Sequence, residues 1–115
     1  MPEKKRTVVI TPTAQRKLTD IAKWSARTWG KKTAREYMAN LNTVIQSVAD
    51  GSLPCQENPE FSTRFSYYLA KRHYIFFELH DDKVVIATVF HTAMHIKERL
   101  KEESLSINKE ISNIE

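Results

Sequence analysis

Cysteine is almost missing from this chain, with Cys55 the one thiol in 115 residues. An internal disulfide is therefore excluded, which suits a reducing compartment. Cys55 lies in a loop-like stretch with no activating neighbour, so it reads as incidental rather than as a nucleophile. Glycine is scarce too, and its two residues, Gly30 and Gly51, both fall where a helix should stop. No apolar run approaches the roughly 18 residues of a membrane span. The start of the chain lacks the apolar stretch of a signal peptide. A cytoplasmic protein without a membrane partner is the expectation. There are no internal repeats, no low-complexity segment, and no helix-turn-helix or zinc motif, so sequence-specific DNA reading by this chain alone is not expected.

The composition is that of an ordinary soluble domain, 41% hydrophobic and 28% charged. At this length one domain is expected over 1–115, with a core over 6–103 and a tail over 104–115. The net charge of +4 is unevenly placed. Residues 1–35 hold ten Lys or Arg against two acids, which leaves +8, and residues 36–115 hold eight against twelve, which leaves −4. A basic first third attracts nucleic acid or an acidic protein partner, or simply forms a solvated helix face.

Hydrophobic spacing predicts the elements. Met1 to Arg6 is a polar, basic lead-in. Thr7-Val8-Val9-Ile10 is a short strand. Thr11-Pro12 then starts a helix, Thr as the cap and Pro at the first helical position. That helix runs over about Pro12–Trp29 with Ala14, Leu18, Ile21, Ala22, Ser25 and Trp29 as its inward stripe. Lys17 and Arg27 lie mostly off the stripe. Trp29 reads as core, and Trp24, at the stripe's edge, reads equally as core or surface. A second helix over about Thr33–Ala49 buries Ala34, Tyr37, Met38, Leu41, Ile45 and Val48. So short a connection makes the two an antiparallel helical hairpin. Ser52 to Ser62 is a loop, and Arg64 to Ala70 a half-exposed strand with Phe65, Tyr67 and Leu69 inward.

Two apolar, β-branched and aromatic runs follow, Tyr74–Leu79 and Val84–Phe90, around the polar break His80–Lys83. They predict a β-hairpin, the second strand central and covered on both faces. Antiparallel pairing brings His91 beside Arg72 and His73. His80 is expected in solvent. The last helix covers about Ala93–Glu103, and the tail keeps Leu105, Ile107, Ile111 and Ile114, as a weak helix or a disordered end. The class is α+β, in the order β-α-α-β-β-β-α, with a helical hairpin packed on one face of a small, mainly antiparallel sheet.

Over about residues 6–100 the text resembles the RelE/ParE toxin superfamily of bacterial toxin–antitoxin modules, and its ParE branch fits best. The residues that carry the resemblance are Asp20-Ile21-Ala22 followed by Trp29-Gly30, then Ala34 and Tyr37 with the Leu41, Ile45, Val48 ladder. His73-Tyr74-Ile75-Phe76-Phe77 and Val89-Phe90-His91-Thr92-Ala93-Met94 complete it. The resemblance implies a ParE-like toxin that inhibits DNA gyrase, needs no metal or cofactor, and is neutralised by a cognate antitoxin, usually a segment that folds as it wraps the toxin. A tail that packs back on the sheet would occupy part of that antitoxin surface.

A gyrase poison needs a surface, not a catalytic constellation. Trp24, Arg27, Lys31, Lys32, Arg64, Lys71 and Arg72 are the target-binding candidates. The alternative is the RelE activity, ribosome-dependent cleavage of messenger RNA, which needs an acid, a base and cations around the phosphorane. His91, His73, Arg72 and Arg64 are the catalytic candidates on that reading. The position eighteen before His91 is His73 where ribonuclease members commonly carry Arg, and Thr92 and Ala93, not Tyr, follow His91. His91 also reads as a structural residue that holds the strand-to-helix turn. His91 and His95 would share a metal only if the helix began early. A third alternative is an inactive member that only binds its antitoxin.

Overall fold

The computed structural model describes residues 6–114, so most of the N-terminal lead-in and Glu115 lie outside the described residues. The order is β1 (Thr7–Ile10), α1 (Pro12–Trp29), α2 (Lys31–Ala49), β2 (Ser66–Ala70), β3 (His73–Leu79), β4 (Lys83–His91) and α3 (Ile96–Ile114). The class is the α+β arrangement expected. The sheet is mixed, in the order β1-β4-β3-β2, with β1 parallel to β4 and the other pairings antiparallel. Strand β4, with a neighbour on either side, is buried from Val84 to Phe90.

Thr11 fixes the start of α1 from both sides. Its Oγ1 accepts from the Ala14 N–H at 3.1 Å and donates to the Ala87 carbonyl at 2.8 Å, so the cap is tied to the central strand. Opposite, Phe76 pairs with Thr88 and Phe77 with Ile86, which leaves Ala87 as the extra residue of a bulge. The bulge re-phases β4, so Ile86 and Val89, three residues apart, both join the core under the helical hairpin.

The helical hairpin covers one face of the sheet, where Leu41, Ile45 and Val48 meet Ile75, Phe77, Val84 and Ile86. The other face is covered too, as the apolar run of the central strand predicts. A second core of Phe65, Phe76, Val85, Ala87 and Phe90 is covered by Ile96, Leu100, Ile107 and Ile111 of α3. The last helix therefore does not stop at 103. It starts three residues later than expected and runs on to Ile114, with Ile107 and Ile111 fully buried and Leu105 turned to solvent. Glu110 receives the Thr13 N–H at 3.0 Å and the Thr13 hydroxyl at 2.7 Å, and Glu103 pairs with Lys17 at 2.7 Å, so α3 is also stitched to α1.

Smaller corrections have local causes. Helix α2 begins at Lys31 because Gly30 alone separates the helices, closing α1 through its N–H to Ala26 and opening α2 through its carbonyl to Ala34. In β2 Tyr68 and Ala70 pack under the hairpin and Tyr67 joins the second core, whereas Leu69 is exposed. His80 is not simply solvated, since its Nε2 meets Glu78 at 2.8 Å.

Candidate functional site

The register of β3 against β4 places His73 opposite His91, where both strands end beneath the helical hairpin. The imidazoles meet edge to face, 5.1 Å between centroids. His73 is 6% exposed, and its Nδ1 lies 2.5 Å from the Tyr37 hydroxyl of α2. A neutral imidazole accepts from the phenol when its proton is on Nε2 and donates to it when the proton is on Nδ1. Burial, reinforced by the neighbouring His91, lowers its pKa from 6.5 to about 4. Burial also pushes the Tyr37 hydroxyl up, against a smaller opposing influence of Arg72. His91 is half-exposed, and its Nδ1 accepts the Ala93 N–H at 3.0 Å, which ties the turn after β4.

An aromatic chain continues outward from this pair. Tyr37 meets His73 at 5.6 Å, Trp29 meets Tyr37 at 5.8 Å, and Trp24 meets Trp29 at 5.1 Å. Arg72 lies over the Trp29 ring at 5.7 Å. Trp24, 46% exposed, forms one wall of a slot of about 450 Å³ completed by Asp20, Ile21, His73, His91 and Met94. A second depression shares five of these residues and extends to Lys17, Arg99 and Glu103. Lys17 is half-buried there, contrary to a solvent-facing position. Its Nζ sits 3.6 Å from the Phe90 ring centroid and donates to Thr88 and Glu103, and desolvation lowers its pKa although Glu103 pulls the other way.

The sequence candidates divide into two ends of the molecule. Arg72 and Lys71 form the two-residue turn between β2 and β3, beside His73, with Lys71 in the left-handed region at φ 57°. Arg27, Lys31 and Lys32 are exposed around the turn between α1 and α2, and Trp29, the last helical residue before that turn, lies under Arg72. Arg64 is elsewhere. It lies before β2, whose first residue pairs with Phe77, so the length of the strand, roughly 13 Å, separates its end from His73. Its guanidinium is held by Glu78 at 2.6 Å and by Asn108. Among the described residues the ion pairs are Lys17–Glu103, Arg64–Glu78 and His80–Glu78. Arg27, Lys31, Lys32, Lys71 and Arg72 thus have no carboxylate partner among them.

Among the described residues no three His, Cys, Asp or Glu side chains are grouped to hold a metal. The helix that would have aligned His91 with His95 begins only at Ile96. The sequence reading passed over Asp20, Tyr37, Met94 and Arg99 as site residues. Asp20 and Trp24 stand four apart on α1, a spacing that puts both on one helix flank and could have paired them. Tyr37 and Arg99 come from other elements, and no local spacing points to them.

The sequence matches the family model described as ParE toxin of type II toxin-antitoxin system, parDE, over residues 8–96. No curated protein sequence matches. Among solved structures the chain is similar to one titled "Chromosomal ParDE TA system from P. aeruginosa", at a TM-score of 0.65 and 10% identity, covering 76% of this chain and 96% of that one. At that identity the likeness is one of fold. The family match ends at Ile96, the first residue of α3.

Proposed function

This chain belongs to the ParE toxin family of type II toxin–antitoxin systems, and from that premise we propose that it poisons DNA gyrase and is held inactive by a cognate antitoxin. The observation that carries the reading is the end of the molecule where an exposed Trp24, linked through Trp29 to Arg72, shares its helix with Arg27, and where Lys31, Lys32 and Lys71 stand in or beside the adjoining turns, all five cations without carboxylate partners among the described residues. Such a surface suits a target made of protein and DNA. A surface that works by binding needs no general acid–base pair, and the Nδ1 of His73 is engaged by Tyr37. A poison that works by binding needs neither cofactor nor metal. On this reading the protein works in the bacterial cytoplasm, where gyrase is, and serves plasmid stabilisation.

The antitoxin surface fits the outer groove of the helical hairpin, lined by Ala22, Ala26, Ala34 and Met38 with Lys31 and Arg35 at its edge. Small residues let a partner helix approach, and the two cations favour an acidic one.

The test is a gyrase supercoiling and cleavage assay with purified protein, beside an in vitro translation reaction. Accumulated cleavage complexes with undisturbed translation are expected, and addition of the antitoxin abolishes them. A second reading, ribosome-dependent cleavage of messenger RNA, is favoured by one observation, the meeting of the His73 and His91 rings with Arg72 in the adjoining turn. Halted translation with cut messenger and untouched gyrase would establish that reading in place of the first. His91→Ala and Arg72→Ala would then each abolish cleavage.

A further inference from the structure

The slot between α1 and the ends of β3 and β4 has a chemistry that its rim does not share. Its walls are apolar or aromatic, Ile21, Trp24 and Met94, and the two imidazoles lie beside them. The one charged group among its lining residues is the Asp20 carboxylate, which has no cationic partner among the described residues. The cations stand outside. Arg27 follows Trp24 by three residues on the same helix face, and Lys71 and Arg72 precede His73. Arg99, likewise without a carboxylate partner among the described residues, lines the adjoining depression beyond Met94.

We infer that this slot takes one unstacked nucleobase of a single-stranded or locally opened nucleic acid, with the phosphates on either side of that base held by Arg27, Lys71 and Arg72 at one lip and Arg99 at the other. The inference rests on the reading of this end as the target-facing surface. Trp24 offers the base an indole face, which binds any base because every base has a π-face. Asp20 accepts from a base N–H and repels a phosphate, which keeps the neutral ring inside and the charged backbone on the rim. An acidic peptide fits less well, since a carboxylate entering the slot meets Asp20 and gains nothing from the indole. A duplex keeps its bases stacked and reaches only the rim. The volume of about 450 Å³ lies within the ordinary range of ligand pockets and has room for one base with its sugar.

The experiment measures binding of the purified full chain to a labelled eight-nucleotide single strand, a duplex of the same sequence, and polyglutamate, with tryptophan emission recorded. The single strand is expected to bind more tightly than the duplex or polyglutamate and to quench tryptophan emission. Trp24→Ala is expected to weaken single-strand binding about tenfold at an unchanged salt slope, and Trp24→Phe to restore most of it. Lys71→Gln with Arg72→Gln is expected to lower the slope by about 0.7 for each phosphate no longer neutralised. Met94→Ala, on the opposite wall, gives a second route to the same weakening should Trp24→Ala disturb the fold. Equal binding of duplex and single strand, polyglutamate bound as tightly as DNA, or indifference to both slot variants would each overturn the inference. Cleavage complexes formed by a protein that binds no oligonucleotide would keep the gyrase reading and remove the slot. Oligonucleotide binding without any effect on gyrase would do the reverse.

Discussion

His73 is held neutral by burial and by the neighbouring His91, and its Nδ1 is hydrogen-bonded to the Tyr37 hydroxyl. Its pKa falls from 6.5 to about 4 on folding. Between those values the unfolded chain binds a proton that the folded chain does not, so stability decreases as pH falls through the window. That difference corresponds to roughly 2–3 kcal/mol. Urea denaturation at pH 7 and pH 4 should therefore show a loss that His73→Gln, which keeps an acceptor for Tyr37 but cannot titrate, reduces by about that amount. A His73→Gln curve parallel to the parent's would assign the loss to another group. At this scale the sequence was partly legible. Pairing of strand ends predicts that His73 meets His91, because antiparallel register follows from the two apolar runs. The buried partner on α2 was hidden, since Tyr37 reads as one more apolar position of a helical stripe.

Gly30 sets the turn between two elements. It alone joins α1 to α2, at φ 91° and ψ 161°, a conformation closed to L side chains. An added Cβ would meet nothing within 4 Å, so the cost of Gly30→Ala is that of the backbone, about 1–3 kcal/mol. The expected result is a transition several degrees lower on thermal unfolding, while D-alanine introduced at position 30 restores it. An L-alanine protein as stable as the parent would show that the turn rearranges at no cost. The helices were legible because apolar residues recur at three-to-four spacing and Thr11, Pro12 and Gly30 mark their ends. Helix α3 was not legible at full length because its stripe breaks at 103 and 104. Glu103, which occupies the break, is explained by Lys17, eighty-six positions earlier in the chain, and by Thr88.

The whole molecule is a sheet covered on both faces, and this decides what the last eleven described residues do. The family match ends at Ile96, so α3 stands beyond the part that shows the family. It nevertheless closes the second core through Ile107 and Ile111 and bonds the start of α1 through Glu110 and Thr13. Deletion of 104–115 removes two fully buried isoleucines, worth roughly 3–6 kcal/mol as an upper figure. It also uncovers Phe76 and Val85 and frees the Thr13 groups. The loss is a large part of the roughly 5–15 kcal/mol that holds an ordinary domain folded. The truncated protein should therefore aggregate or unfold at low urea, not behave as a shortened toxin. Ile107→Ala with Ile111→Ala, which keeps the helix and its charges, should lower the urea midpoint by a comparable energy. If the truncated chain instead stays folded and binds its antitoxin more tightly, α3 is a removable cover on a binding face. If it unfolds, the segment that lies past the family match is part of the fold's own core.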